Sequence, residues 1–474
     1  MHTLDALTLA NQIRRRDLTA FEVAKHTLSR IDADTNNCFL YTTPETALVA
    51  AKRIDARLEQ GDCPSPLAGV PIAIDDTILV RGDRCTAGSR MLDNFISPFN
   101  ATVIDKILAA GLIPVGRTNT DEFGVCGSGD TCYHGITLNP LDSSNLAGAA
   151  AAAISSRLVP LALCADTLGA QRKFASQTGT IFLKPTYGKV SRFGLVPYIS
   201  SAEQIGAAGA TIGDTAALLN IIAGYDPKDG TGIPNSDLIP PEPSQDLRHL
   251  RIGIATDYWT TLGRTGTATL TETRERLTAL GATLQDCPLP QQQTDILGMA
   301  SMALQIIAAA EGCNNFSRYD GIKFGYRPQT YATLDDISIN SRSESFGREV
   351  KKTILFGSFV LAQQQYEAYY LQALKIRRLI QQQLAQALQT YDCLLIPAST
   401  GQPYHKTNPE ANARQCLTDT HYTAPATLAG YPAVAAPSPA VTQERCGIQF
   451  IAAPNNEQIL FDIVNLSTTD SLIP

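Results

Sequence analysis

The chain has 474 residues, 44% of them apolar and 18% charged, which is enough for one large domain or two medium ones. No apolar run approaches the roughly 20 residues of a membrane helix, and Met1–Asp5 does not open a basic-then-apolar signal, so neither a membrane nor a secretory segment is expected. Eleven irregularly spaced cysteines with no C-x-x-C pair are expected to be reduced thiols in the cytoplasm, and a net charge of −7 argues against direct binding of nucleic acid.

Thr19–Glu22 has the form of a capping box, in which a Thr hydroxyl and a Glu carboxylate satisfy the first free N–H groups of a helix. Val70–Ile74 is a short apolar run suited to a buried strand. Ala101–Ala110 reads as an amphipathic helix that Gly111 stops, with a strand over Leu112–Gly116. The same helix–Gly–strand order recurs at Thr267–Leu280, Gly281 and Ala282–Leu284. A loop rich in Pro, Asp and Gly, Tyr225–His249, separates an N-terminal half from a segment that opens with a strand at Arg251–Ala255. It is read as a connection between two intimately packed halves of a single domain spanning residues 1–474. Phe356–Tyr391 is a long helical pattern with few breakers. Within it, Lys375–Arg378 is expected to be a solvated face. The glutamine runs at 291–293, 363–365 and 381–383 are short, the last two expected on helix surface. Strands alternating with helices predict an α/β layer fold with a largely parallel core.

Several segments carry a resemblance. Leu67–Ile74, Lys184–Val196, Thr118–Phe123 and Leu428–Pro432 closely resemble motifs of the amidase signature family. Arg318–Gly325, Phe346–Lys351, Tyr366–Tyr370 and Tyr225–Asp229 look like the branch of that family formed by A subunits of tRNA-dependent amidotransferases. The resemblance covers nearly the whole chain. It implies an α/β fold with a mixed central β-sheet covered by helices. It also implies a serine nucleophile, a second serine and a lysine that draws the proton through that second serine, because a hydroxyl needs a positioned base to attack an amide carbonyl.

Carried over position by position, the resemblance places the lysine at Asp75, the second serine at Leu146 and the nucleophile at Ala170. None of these can do the chemistry expected there. An aspartate can accept a proton, but Ala170 has none to give. The turn Thr167–Gly169 would supply backbone N–H groups to an oxyanion, and Leu168 puts a side chain on it where close approach calls for glycine. The loop around the second serine has become Ala147–Ala153, which favours helix. The residues that would hold an amide substrate fall near Thr353 and Thr420, beside Lys352 and Asp419. Asp166 and Arg172 match family positions and are expected to form a retained ion pair.

Two alternatives for the site compete. Cys164, Cys132 and Cys126 lie in motifs that line the family's pocket and are candidate replacement nucleophiles, with His134 near Cys132 the one close Cys–His pair. A metal at Asp75, Asp76 and Asp166 is disfavoured, since hard cations want more oxygen ligands; neither metal nor cofactor is expected. The leading expectation is a pseudoamidase that serves as a scaffold, regulatory or binding subunit, with a B- or C-subunit-like protein or a second copy as partner. An active amidase using relocated residues and a small-molecule binder are the alternatives.

Overall fold

The computed structural model describes residues 4–234, 244–287, 298–438 and 446–467. The middle of the proline-rich connection (residues 235–243) and the glutamine run at 291–293 lie outside the described residues. Thirteen strands occur among the described residues: β1 (Phe39–Thr42), β2 (Pro71–Asp75), β3 (Ile113–Thr118), β4 (Leu138–Asn139), β5 (Asp142–Leu146), β6 (Leu161–Asp166), β7 (Ile181–Lys184), β8 (Gln204–Gly209), β9 (Arg251–Ile254), β10 (Thr283–Asp286), β11 (Cys393–Pro397), β12 (Ala433–Ala436) and β13 (Ile448–Ala452).

Eleven of them form one sheet in the order β1-β3-β2-β6-β8-β7-β12-β13-β11-β9-β10, so strands from both sides of the connection share it. β4 and β5 pair separately. The sheet is mixed rather than largely parallel. Parallel pairing is confined to β3–β2–β6 on one side and β11–β9–β10 on the other, with antiparallel pairs between. β8 causes this: it inserts antiparallel between β6 and β7, which a simple strand–helix–strand repeat would have placed side by side.

The sheet is covered on both faces, and β6 shows how. Leu161, Leu163 and Ala165 face one core cluster, with Ile72, Ile74 and Ile205; Ala162 and Cys164 face the other, with Ala73, Ala150 and Phe182. This period-two alternation of apolar side chains is what a strand buried on both faces requires. Local sequence signals hold at the edges of these layers. Thr19 and Glu22 form the full capping box at the start of the helix Ala20–Asp32. Gly111, at φ +80°, ends the helix Thr102–Ala109 and turns the chain into β3; Gly281, at φ +93°, does the same between the helix Gly263–Ala279 and β10.

The long pattern Phe356–Tyr391 is two helices, Arg348–Leu361 and Tyr370–Thr390. Ala362 turns extended at ψ 141°, and Phe359 and Tyr369 meet across the turn with ring centroids 5.3 Å apart. That aromatic contact holds a bend that no Gly or Pro announces, and it moves Gln363–Gln365 into the turn. Arg377 is less solvated than expected: its guanidinium bonds the Leu428 and Ser201 carbonyls and the Ser201 hydroxyl at 2.6–2.9 Å. No helix among the described residues is long and apolar enough to cross a membrane.

Candidate functional site

β2 and β6 run parallel, with Ile74 opposite Leu163, and β6 runs two residues beyond the end of β2. Open α/β sheets place ligands beyond the carboxyl ends of such strands. Asp75 closes β2 and Asp166 closes β6. The helix Ala170–Thr178 follows β6 after a three-residue turn, with Gly169 at φ +85° as its N-cap.

The short turn between strand and helix is fixed from four sides. Thr167 Oγ1 donates to the Gly124 carbonyl at 2.9 Å, and Thr423 Oγ1 donates to the Leu168 carbonyl at 2.9 Å. Asp166 Oδ1 accepts the Gln171 N–H at 3.3 Å, and Asp166 Oδ2 pairs with Arg172 Nε at 2.9 Å. The Arg172 guanidinium also bonds the Thr423 carbonyl, Gln449 Oε1 and Thr427 Oγ1, at 3.0, 2.6 and 2.5 Å, so this fully buried cation is solvated by protein on every side.

Leu146, at the end of β5, and Ala170, at the start of the helix, belong to one apolar cluster with Ala151, Phe174, Tyr404 and Cys416. The alanine run forms the helix Ala149–Ser155, every residue of it buried. Its small side chains admit Phe174: a Cβ on Gly148 would lie 2.7 Å from that ring. Between this helix, Thr167, Ala170 and Gln171 remains a cavity of about 30 Å³. That is room for a water or two, against the several hundred cubic ångströms of a typical ligand pocket. Leu168 does not crowd this space as expected. Its side chain is buried in the neighbouring core with Phe123 and Val125, and the helix residues narrow the cavity instead.

Asp75 is buried apart from that cluster. Its Oδ1 accepts the Thr77 N–H at 2.9 Å and the Thr77 hydroxyl at 2.8 Å. Burial pushes its carboxyl up to about 6, against these two bonds. Asp76 accepts from Thr86 and lies 3.7 Å from Arg117. The three acidic side chains thus have three separate sets of partners. Among the described residues, no group of three or more His, Cys, Asp or Glu converges as metal ligands do.

The three candidate cysteines fall in different settings. Cys164, on β6 within the sheet, is wholly buried, and burial holds its thiol far above its ordinary range. Cys132 Sγ receives the backbone N–H of His134 at 3.3 Å, while the imidazole Nε2 lies 3.3 Å from Asp93; burial pushes the Cys132 thiol up to about 12. Cys126, at φ +71°, lines a second and larger cavity of about 420 Å³.

Sequence reasoning does not reveal what else surrounds that second cavity. Lys173, one turn along the helix from Ala170, is 2% exposed, and its Nζ lies 3.0 Å from both Tyr404 Oη and Cys416 Sγ. Tyr404 donates in turn to Asp419, which also holds the Thr400 N–H at 2.7 Å. Lys352 and Thr353 line the cavity, as does Cys416, whereas Thr420 turns its hydroxyl to the Cys416 carbonyl at 2.7 Å. The only sequence signal is Lys173 itself, a lysine directly after the buried Arg172; its partners lie more than 230 positions away.

The Amidase family model matches residues 22–461. The chain belongs to the amidase signature family. It is 38% identical over 474 residues to the A subunit of glutamyl-tRNA(Gln) amidotransferase from Coxiella burnetii, covering 98% of this chain and 97% of that protein. It is 37% identical over 455 residues to the corresponding protein of Ralstonia nicotianae, covering 91% and 90%. Among solved structures it is similar to the glutamyl-tRNA(Gln) amidotransferase A subunit from Thermotoga maritima, with 28% identity, a TM-score of 0.74, and coverage of 95% of this chain and 92% of that one. It is also similar to a chain of a vestigial protein complex tied to the evolutionary origins of an s-triazine catabolic enzyme, with 27% identity, a TM-score of 0.84 and 98% coverage of both. This amidase-family chain therefore shares the family's large mixed sheet flanked by helices.

Proposed function

We propose that this member of the amidase family does not hydrolyse amides and instead acts as a single-domain scaffold or regulatory subunit. The observation that carries the reading is the meeting of Leu146 and Ala170 in one apolar cluster beside a cavity of about 30 Å³. An acyl-transfer site built there would need a nucleophile, a proton acceptor within hydrogen-bond reach and space for the substrate carbonyl. Leu146 and Ala170 offer no polar side-chain atom, and Asp75 is turned to Thr77.

The partner side of the reading rests on the relatives. Two are named as amidotransferase subunits, and one structural neighbour comes from a vestigial protein complex. A B- or C-subunit-like protein is the partner class this favours, with a second copy of the chain as the alternative, in the cytoplasm. The test is ammonia release from glutamine, asparagine and simple aryl amides by the purified chain, together with the mass of its complexes in native extracts. No turnover and a stable hetero-complex are expected. Turnover lost in Cys126→Ser would overturn the reading in favour of a relocated active site.

A further inference from the structure

Cys416 and Cys126 sit face to face at the wall of the 420 Å³ cavity. Cys416 projects from the helix Pro409–Ala429, and Cys126 from the loop after Phe123. The Cys416 thiol donates to the Cys126 carbonyl oxygen, and its sulfur lies beside the Cys126 side chain. Lys173 Nζ approaches Cys416 from the opposite side at 3.0 Å. The cavity opens to solvent, and three cations, Arg348, Lys352 and Arg414, line it alongside two carboxylates, Glu349 and Glu410.

We propose that Cys416 and Cys126 form a thiol–disulfide exchange site that takes small anionic disulfides from this cavity. The geometry supplies each part. A buried ammonium beside a sulfur favours its thiolate, which is the attacking species in exchange. The groups that face Cys416 are Lys173 and Tyr404 from neighbouring elements, Asp419 from its own helix, and Cys126. Among them, the Cys126 side chain and then the Lys173 ammonium hold the Cys416 thiol below its ordinary range, against the opposing effect of burial. Cys126 is raised in return while Cys416 carries charge beside it, first by Cys416 and then by burial.

The Cys416 thiolate attacks one sulfur of the incoming disulfide, forming a mixed disulfide and expelling one thiolate. Cys126 then gives its proton to that leaving thiolate and attacks Cys416 Sγ. The new Cys126–Cys416 bond forms, the mixed disulfide breaks, and the second thiolate departs to take a proton from water. The protein loses two electrons, and the small disulfide is reduced to two thiols.

This inference stands independently of whether the chain hydrolyses amides. Its test is exposure of the full-length native chain to oxidised glutathione and, as a neutral comparison, to hydroxyethyl disulfide, followed by peptide mapping. Wild type should yield a Cys126–Cys416 peptide, faster with the anionic reagent. Cys126→Ser should stop at a glutathione adduct on Cys416, and Cys416→Ser should give neither product at these positions. The exchange rate should rise with pH, with a midpoint below the roughly 8.5 of a free thiol. Lys173→Gln should slow it about tenfold at neutral pH and move the midpoint toward the free-thiol value. Adducts appearing first at other cysteines, or a Cys416→Ser variant that still oxidises Cys126 at the wild-type rate, would overturn the proposal. Should Lys173→Gln fail to fold, the Cys126→Ser trapping result decides alone.

Discussion

Arg172 Nε lies 2.9 Å from Asp166 Oδ2, and neither side chain is exposed to solvent. The pair joins the end of β6 to the helix that follows it, and through Thr423, Thr427 and Gln449 to the helix Pro409–Ala429 and β13. It holds the strand–turn–helix geometry of the site. A buried ion pair is weak evidence for net stability, but removing one partner strands the other charge.

Arg172→Met is therefore expected to destabilise the fold by about 3–5 kcal/mol, because Asp166 is left buried and unpaired. Adding Asp166→Asn to it should recover part of the loss, since the amide oxygen can still accept the Gln171 N–H. Urea denaturation of the two variants checks this. A double variant as unstable as Arg172→Met alone would show that the pair is not the source of the cost.

Reinstating the family's expected residues should not create an amidase. Asp75→Lys, Leu146→Ser and Ala170→Ser, with Leu168→Gly, put the groups back by type. They do not enlarge the cavity of about 30 Å³, which Phe174 and the alanine helix enclose. Leu168→Gly also removes a side chain from the core around Phe123, a cost of about 3 kcal/mol or more. The expected result is ammonia release no faster than the buffer blank, measured with glutamine and an aryl amide. Clear turnover would mean that the site needs only its side chains to work.

Much of the framework is legible in the sequence because its causes are local. The capping box at Thr19, the stops at Gly111 and Gly281, and the strand Pro71–Asp75 each follow from residues within a few positions. The Asp166–Arg172 pair spans six positions and follows the same rule. The position of β8 between β6 and β7 does not, since register across a sheet depends on partners far apart in the chain. The side chain of Leu168 shows a finer limit. Its presence on the turn is readable, but its direction, into the core beside Phe123, is set by elements that meet only in the fold. Lys173, Tyr404 and Cys416 are hidden for that reason: the contact from Lys173 to Cys416 crosses 243 positions.

Gly169→Ala tests the turn directly. A Cβ there would lie 2.1 Å from the Thr423 Cβ, and the backbone sits at φ +85°, where a side chain is strained in any case. A loss of about 2 kcal/mol or more is expected by thermal or urea unfolding. Thr423→Ala should not rescue it, because the Cβ that collides remains. The Thr423 Oγ1 lies equally close, at 2.1 Å, so rescue by that change would show that the hydroxyl contact rather than the Cβ contact sets the cost.

The buried carboxyl of Asp75 makes stability depend on pH with a definite sign. Burial raises it to about 6, while in an unfolded chain it titrates near 3.9. The folded state therefore binds the proton more tightly. This contribution is fully present below about pH 4 and is lost as pH rises through about 6. A rise from near 4 to about 6 corresponds to roughly 3 kcal/mol. Asp75→Asn keeps a side-chain oxygen to accept the Thr77 N–H and hydroxyl but cannot ionise. The variant and wild type should be about equally stable near pH 4, and the variant's advantage should grow between about pH 4 and pH 6 and level off above that, at up to a few kcal/mol. Glu122 and Asp214, both raised to about 7, chiefly by burial, add a background of the same sign. The difference between the two stability curves is therefore the quantity to measure, and curves that stay parallel from pH 4 to 8 would show that Asp75 does not titrate in this range.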